Sequence, residues 1–140
     1  MKGQIDVINS TLGKALGGGN GGYTTARKEI IEVLRNKGRP YLFSNSVSPS
    51  IVGASIEVFN MLGESSSLLD NLRVNTKAFR IGMKAAGFNI MGNDDCPIVP
   101  VLLGCAKVGG HFAEELMKLN IYVISFSYPV VPLGAARIRC

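Results

Sequence analysis

Ten consecutive positions, Gly13 to Gly22, hold six of the chain's seventeen glycines. Glycine weakens helix and strand interiors and is chosen where the backbone turns sharply or approaches a ligand closely. This segment is therefore a loop, and its flanks decide what kind. Before it, residues 5–9 (Ile-Asp-Val-Ile-Asn) predict a short buried strand. After it, a helix is expected from about Thr25 to Lys37, stopped by Gly38-Arg39-Pro40.

Three mechanisms call for a glycine-rich loop in such a place, and the residues separate them. A phosphate-cradling P-loop needs a glycine five residues before a Gly-Lys pair, then Ser or Thr. Gly13-Lys14 is followed by Ala15, and Ile8 stands where the first glycine belongs, so that reading fails. Gly17-x-Gly19-x-x-Gly22 matches a dinucleotide fingerprint in form only. Lys14 intervenes after the strand, and Arg39, Pro40 and Leu42 occupy the region where an acidic residue should follow. The third reading is a Schiff-base lysine. Such an amine must lose its proton, and Lys14 lies just after an apolar strand among Gly13, Ala15 and Leu16. Chemistry alone leaves Lys14 equally placed as a solvated loop lysine.

Downstream, Tyr41-Leu42-Phe43 is expected as a strand and Ser44-Asn45-Ser46 as a polar loop. Pro49 opens a helix carrying Ile51, Val52, Ile56, Val58, Phe59 and Leu62. Ser65–Ser67 offer caps for a longer helix that ends at Gly87. Phe88–Met91 and Ile98–Leu103 read as strands, Phe112–Leu119 as a helix, Ile121–Ser127 as the strongest strand, and Ala135–Arg139 as a last one. The alternation is that of an α/β or α+β architecture.

Composition excludes other classes. With 46% hydrophobic and 18% charged residues the chain is globular in kind. No apolar run approaches the roughly 20 residues of a membrane-spanning helix, and no apolar segment follows Lys2 to mark a secretory leader. The net charge is 15 − 10 = +5. Its densest part, Arg27 to Arg39, is broken by Glu29 and Glu32 and reads as the wet side of a helix. No nucleic-acid partner is implied. Cys96, Cys105 and Cys140 match no zinc or redox spacing, His111 is the sole histidine, and no metal site is expected.

Three motifs carry a resemblance. Ser10-Thr11-Leu12-Gly13-Lys14-Ala15-Leu16-Gly17-Gly18, with Gly21-Gly22-Tyr23-Thr24, resembles the cofactor-lysine motif of the α-oxoamine synthases. Arg39-Pro40-Tyr41-Leu42-Phe43-Ser44-Asn45-Ser46 is similar to the family's next signature. So is Ser127-Tyr128-Pro129-Val130-Val131-Pro132, leading to Ala136-Arg137-Ile138-Arg139. The likeness runs through essentially the whole chain. It implies a pyridoxal-phosphate-dependent transferase fold of the aspartate-aminotransferase kind (fold type I).

By that resemblance Lys14 would carry pyridoxal 5'-phosphate as a Schiff base, and Thr11 would bind the phosphate. Ser44 and Asn45 would reach the phosphate of the neighbouring subunit's cofactor in a homodimer. Arg139 would hold a substrate carboxylate. Arg137 lies two residues away on the same strand face, so chemistry alone does not choose between them. The implied reaction condenses glycine with acetyl-CoA to 2-amino-3-oxobutyrate and CoA, a step of threonine catabolism.

The family's ring-stacking histidine, its pyridine-nitrogen aspartate and its first phosphate loop have no counterparts here. The chain is therefore expected to be a C-terminal piece of such an enzyme, without turnover alone. Residues 1–46 would end the large cofactor domain, 47–63 would form a connecting helix, and 64–140 most of the small domain. A full-length protein is expected in the cytoplasm of a bacterium or the mitochondrion of a eukaryote. Family members that make 5-aminolevulinate or 8-amino-7-oxononanoate, and a non-catalytic α/β module, are the alternatives.

Overall fold

Antiparallel pairing organises the glycine-rich segment. In the computed structural model, which describes residues 3–16 and 19–140, strand β1 (Val7–Thr11) pairs with β2 (Gly22–Ala26) in the register Val7↔Ala26 to Thr11↔Gly22. Gly17 and Gly18 of the loop, and Met1 and Lys2, lie outside the described residues. The strand expected over 5–9 is displaced toward the loop and exposed, Val7 and Ile8 being 43% and 47% accessible. β2 had no counterpart in the sequence reading. Its Tyr23-Thr24-Thr25 is a β-branched and aromatic run that suits a strand, and it moves the helix start to Lys28.

Two compact units divide the chain, Met1–Ser66 and Ser67–Cys140. In the first, α1 (Lys28–Lys37) places Glu29 in its first turn and Arg35 and Lys37 in its last, each opposite in sign to the nearby end of the helix dipole. Arg39–Phe43 forms a short helix, α2, where a strand was expected. Three apolar residues are too few for periodicity to separate the two. Pro40 in the first turn, with Leu42 N–H donating to the Gly38 carbonyl at 3.0 Å, makes the turn helical. Helix α3 (Pro49–Glu64) begins at its proline as expected. It is tied to β2 by the Tyr23 and Phe59 rings, edge to face at 5.5 Å.

The second unit opens with α4 (Ser67–Ala85). Gly87, at φ +86°, closes it: Gly87 N–H bonds the Lys84 carbonyl at 3.0 Å and Phe88 N–H the Met83 carbonyl at 3.1 Å. A three-stranded antiparallel sheet follows, in the order β3 (Pro100–Gly104), β5 (Ala136–Arg139), β4 (Ser125–Phe126). The strand expected over Phe88–Met91 reduces to one bridge, Ile90↔Val101. Helix α5 (Ala106–Lys118) starts six residues ahead of the expected Phe112, which places His111 in its middle. It ends on Asn120 at φ 61°, and Ile121 N–H bonds the Leu116 carbonyl at 2.9 Å. Ile121 is thus spent on the cap, and the strand expected over Ile121–Ser127 shrinks to Ser125–Phe126.

The sheet has two different faces. Val101, Ala136 and Ile138 are 2%, 3% and 1% exposed, and Val101 and Ser125 both register with Ile138. Helix α5 covers this side, and closely: a Cβ on Gly109 would overlap Ser125 Oγ, so the hydroxyl would have to swing aside. Leu102, Phe126, Arg137 and Arg139 point to the other side.

Arg80 of α4 is 3% exposed and spends its guanidinium on backbone. Nε and Nη2 donate to the Cys96 carbonyl at 3.2 and 3.0 Å, Nη1 to Met91 at 3.3 Å and Nη2 to Ile98 at 3.1 Å. Asp94 Oδ1 stands 3.8 Å from Nη1 and 2.9 Å from Lys84 Nζ. The Lys84 hydrogen bond and charge, with a smaller pull from Arg80, hold the Asp94 carboxyl below its usual range. Beyond Ile98, Val99 and Cys140 exchange backbone bonds of 2.8 and 3.0 Å.

Two outcomes follow from these contacts. Arg80→Ala orphans three carbonyls and is expected to cost about 3 kcal/mol in urea unfolding of the chain. Arg80→Lys recovers little of it, because an ammonium lacks the planar fork; a loss below about 1 kcal/mol for the alanine variant would contradict this account. Cys105, exposed at the N-cap of α5, has its thiol pulled below the ordinary range by the Val108 and Lys107 N–H groups, whereas burial raises the thiol of Cys140. Limited iodoacetamide at neutral pH should therefore label Cys105 before Cys140, read by peptide mass spectrometry.

Candidate functional site

The loop between β1 and β2 is closed at the Gly21 carbonyl, by the Leu12 N–H and the Thr11 hydroxyl. Thr11 Oγ1 accepts the Gly13 N–H at 3.1 Å and donates to the Gly21 carbonyl at 3.4 Å, so both limbs of the loop meet at Thr11. Leu12 N–H bonds the Gly21 carbonyl at 2.9 Å, and the Leu12 side chain is buried. Lys14, two residues beyond that anchor, is exposed. Among the described residues its amine makes no hydrogen bond or ion pair.

Glycine is required on the returning limb. A Cβ at Gly21 (φ +79°) would stand 2.7 Å from Val47 Cγ2, and one at Gly22 would stand 2.6 Å from the Ser10 carbonyl oxygen. Val47 follows Ser44, Asn45 and Ser46 in the connection from α2 to α3, so that polar segment is packed against the loop's return. Ser44 and Asn45 are exposed, and among the described residues their side chains have no hydrogen-bond partner. No hydrogen bond among the described residues joins them to Thr11 or Lys14. The arrangement suits an aldehyde-bearing phosphate: an open amine on a short tether, a hydroxyl whose long bond to Gly21 is easily exchanged, and close backbone with no side chain to intrude.

Asp6, the one acidic residue just ahead of the motif, faces Arg27 at 3.6 Å on an exposed surface. His111 is exposed on α5, with Nδ1 3.9 Å from Glu115 Oε1. Among the described residues no group of acidic, His and Cys side chains could hold a metal.

Arg137 and Arg139 belong to the second unit and share a face of β5, yet they differ. Arg137 Nε donates to the Ala135 carbonyl at 3.0 Å, and the side chain is half-buried. Arg139 is exposed, and its guanidinium carbon lies 4.8 Å from the centre of the Phe126 ring. Among the described residues the Arg139 side chain has no hydrogen-bond or ion-pair partner, so its donors are open. Phe126 was not among the sequence candidates. Its only sequence signal is an aromatic residue just before the Ser127-Tyr128-Pro129 motif.

The family described as aminotransferase class I and II matches residues 1–140. The chain is 57% identical over 139 residues to 2-amino-3-ketobutyrate coenzyme A ligase of Escherichia coli K12, covering 99% of this chain and 35% of that protein. It is 49% identical over 136 residues to the mitochondrial 2-amino-3-ketobutyrate coenzyme A ligase of Mus musculus, covering 97% of this chain and 32% of that one. A solved structure of SPT with a PLP internal aldimine superposes with a TM-score of 0.90 at 29% identity, over 99% of this chain and 35% of its own. The chain thus spans about a third of the length of the curated relatives it matches.

Proposed function

Since the chain belongs to the aminotransferase class I and II family and has the pyridoxal-phosphate-dependent transferase fold, we propose that it forms part of an acyltransferase joining glycine to the acetyl group of acetyl-CoA. The products are 2-amino-3-oxobutyrate and CoA, a reaction of threonine catabolism. The observation that carries the reading is the Thr11-closed loop presenting an open Lys14 amine, in a chain 57% identical to a protein named for that ligase chemistry.

Each residue has a task in this proposal. Lys14 Nζ would hold pyridoxal phosphate covalently. Thr11 turns its hydroxyl from the Gly21 carbonyl to a phosphate oxygen. Ser44 and Asn45 donate to the phosphate bound by a second subunit, which requires a homodimer. Arg139 takes the glycine carboxylate in a two-pronged grip. Its open donors, beside the engaged Nε of Arg137, favour it over its neighbour. When bound, the cofactor supplies an electron sink for the carbanion that glycine leaves on losing its α-proton.

Residues 1–46 are assigned to the end of the large cofactor domain, 47–63 to a connecting helix and 64–140 to the small domain. The break between compact units after Ser66 supports the second boundary. The full-length enzyme is assigned to the bacterial cytoplasm or the mitochondrion, a reading supported by one relative from a bacterium and one named as mitochondrial.

The test is a hybrid enzyme in which this chain replaces the matching third of the Escherichia coli ligase. Lys14→Ala is expected to abolish cofactor attachment trapped by borohydride and to lower turnover at least about 100-fold. Unchanged trapping and turnover would remove Lys14 from the mechanism.

A further inference from the structure

β5 carries two arginines on one face, and what distinguishes them is what each side chain rests on. Arg137 is held by its own strand through the Ala135 carbonyl. Arg139 is held by a ring. Phe126 is registered opposite Arg137 on β4, which makes Arg139 its diagonal neighbour on the same face. That is the distance at which a long side chain and an aromatic ring can meet across an antiparallel pair. The guanidinium carbon sits 4.8 Å from the ring centre, within cation–π range.

Contact with a ring is suited to aiming an arginine. A carboxylate partner would use up the donors that a substrate needs, and a carbonyl partner would use some of them. A ring face attracts the delocalised cation while competing for none of the five N–H groups. A flexible side chain that spends rotamer freedom on holding a ligand binds it more weakly than one already held in place. We propose that Phe126 is a positioning residue for Arg139: its ring holds the guanidinium in place and leaves the donor edge open to an incoming carboxylate. This rests on the reading of Arg139 as the receiver of the substrate carboxylate.

The ring is itself well placed. Ser125 next to it lies close beneath Gly109 of α5, and both residues of β4 are paired to β5. Phe126 therefore cannot shift along β5 without breaking the sheet.

The experiment uses the hybrid enzyme. Phe126→Leu is expected to raise the KM for glycine about tenfold with kcat changed less than about twofold, and Phe126→Tyr to restore the KM. Arg139→Ala separates the two layers of the argument. If Arg139→Ala raises the KM and Phe126→Leu does not, the platform is refuted and the carboxylate reading survives. If Arg139→Ala leaves the KM unchanged, both fall. A second measurement needs neither cofactor nor turnover. In the 140-residue chain, ring current should move the Arg139 Nε proton upfield in NMR spectra, assigned through Arg139→Lys. Phe126→Leu should abolish that displacement and Phe126→Tyr preserve it; an Nε proton unmoved by Phe126→Leu would overturn the proposal.

Discussion

A buried cation held mainly by backbone carbonyls organises the second unit. Arg80 is 3% exposed, and its nearest carboxylate, on Asp94, is 3.8 Å away. The charge is solvated instead by the carbonyls of Met91, Cys96 and Ile98. Taking a guanidinium out of water is expensive unless its donors are met. Here they are met by a segment that has almost no regular structure of its own. The bargain is mutual, because carbonyls in an irregular loop also need donors. Once the loop is drawn onto α4, Val99 is delivered to Cys140, and that pair extends the ladder beside Arg139.

The first unit is shaped by exclusion. Val47 and the Ser10 carbonyl occupy the places that side chains at Gly21 and Gly22 would need. The return limb therefore runs closer to its neighbours than any other residue type permits. Thr11 then joins the limbs with a single hydroxyl, which leaves Lys14 on a short, closed turn.

How much of this was legible depended on the kind of signal. Helices α3 and α4 and strand β5 stood out, because proline, serine and glycine punctuate them and their apolar spacing is long enough to count. β2 was hidden: its glycine and threonines sit beside a longer helical pattern, and only pairing with β1 makes them a strand. Tyr41-Leu42-Phe43 was too short for its period to be read. Ile121 was lost from its expected strand to a helix cap, which depends on Asn120 taking a positive φ. The expected burial of β1 also failed, its apolar residues being exposed. At the site, Lys14, Thr11, Ser44, Asn45 and Arg139 were named through motif resemblance, since spacing alone left Lys14 an ordinary loop lysine. Phe126 and Arg80 were invisible for a common reason. Each acts on partners distant in sequence, through contacts that no local pattern encodes.

The order β3-β5-β4 puts Arg139 on the middle strand, which pairs with β3 on one side and, at Arg137 and Ile138, with β4 on the other. Lys14 hangs from a hairpin loop. The two ends of the proposed chemistry therefore stand on different kinds of backbone. The group proposed to grip a rigid, three-atom carboxylate stands at the end of a strand that has neighbours on both sides. The group proposed to release one bond and later remake it stands on a turn outside the strand ladder. An anchor tolerates little positional noise, and a tether works only with some.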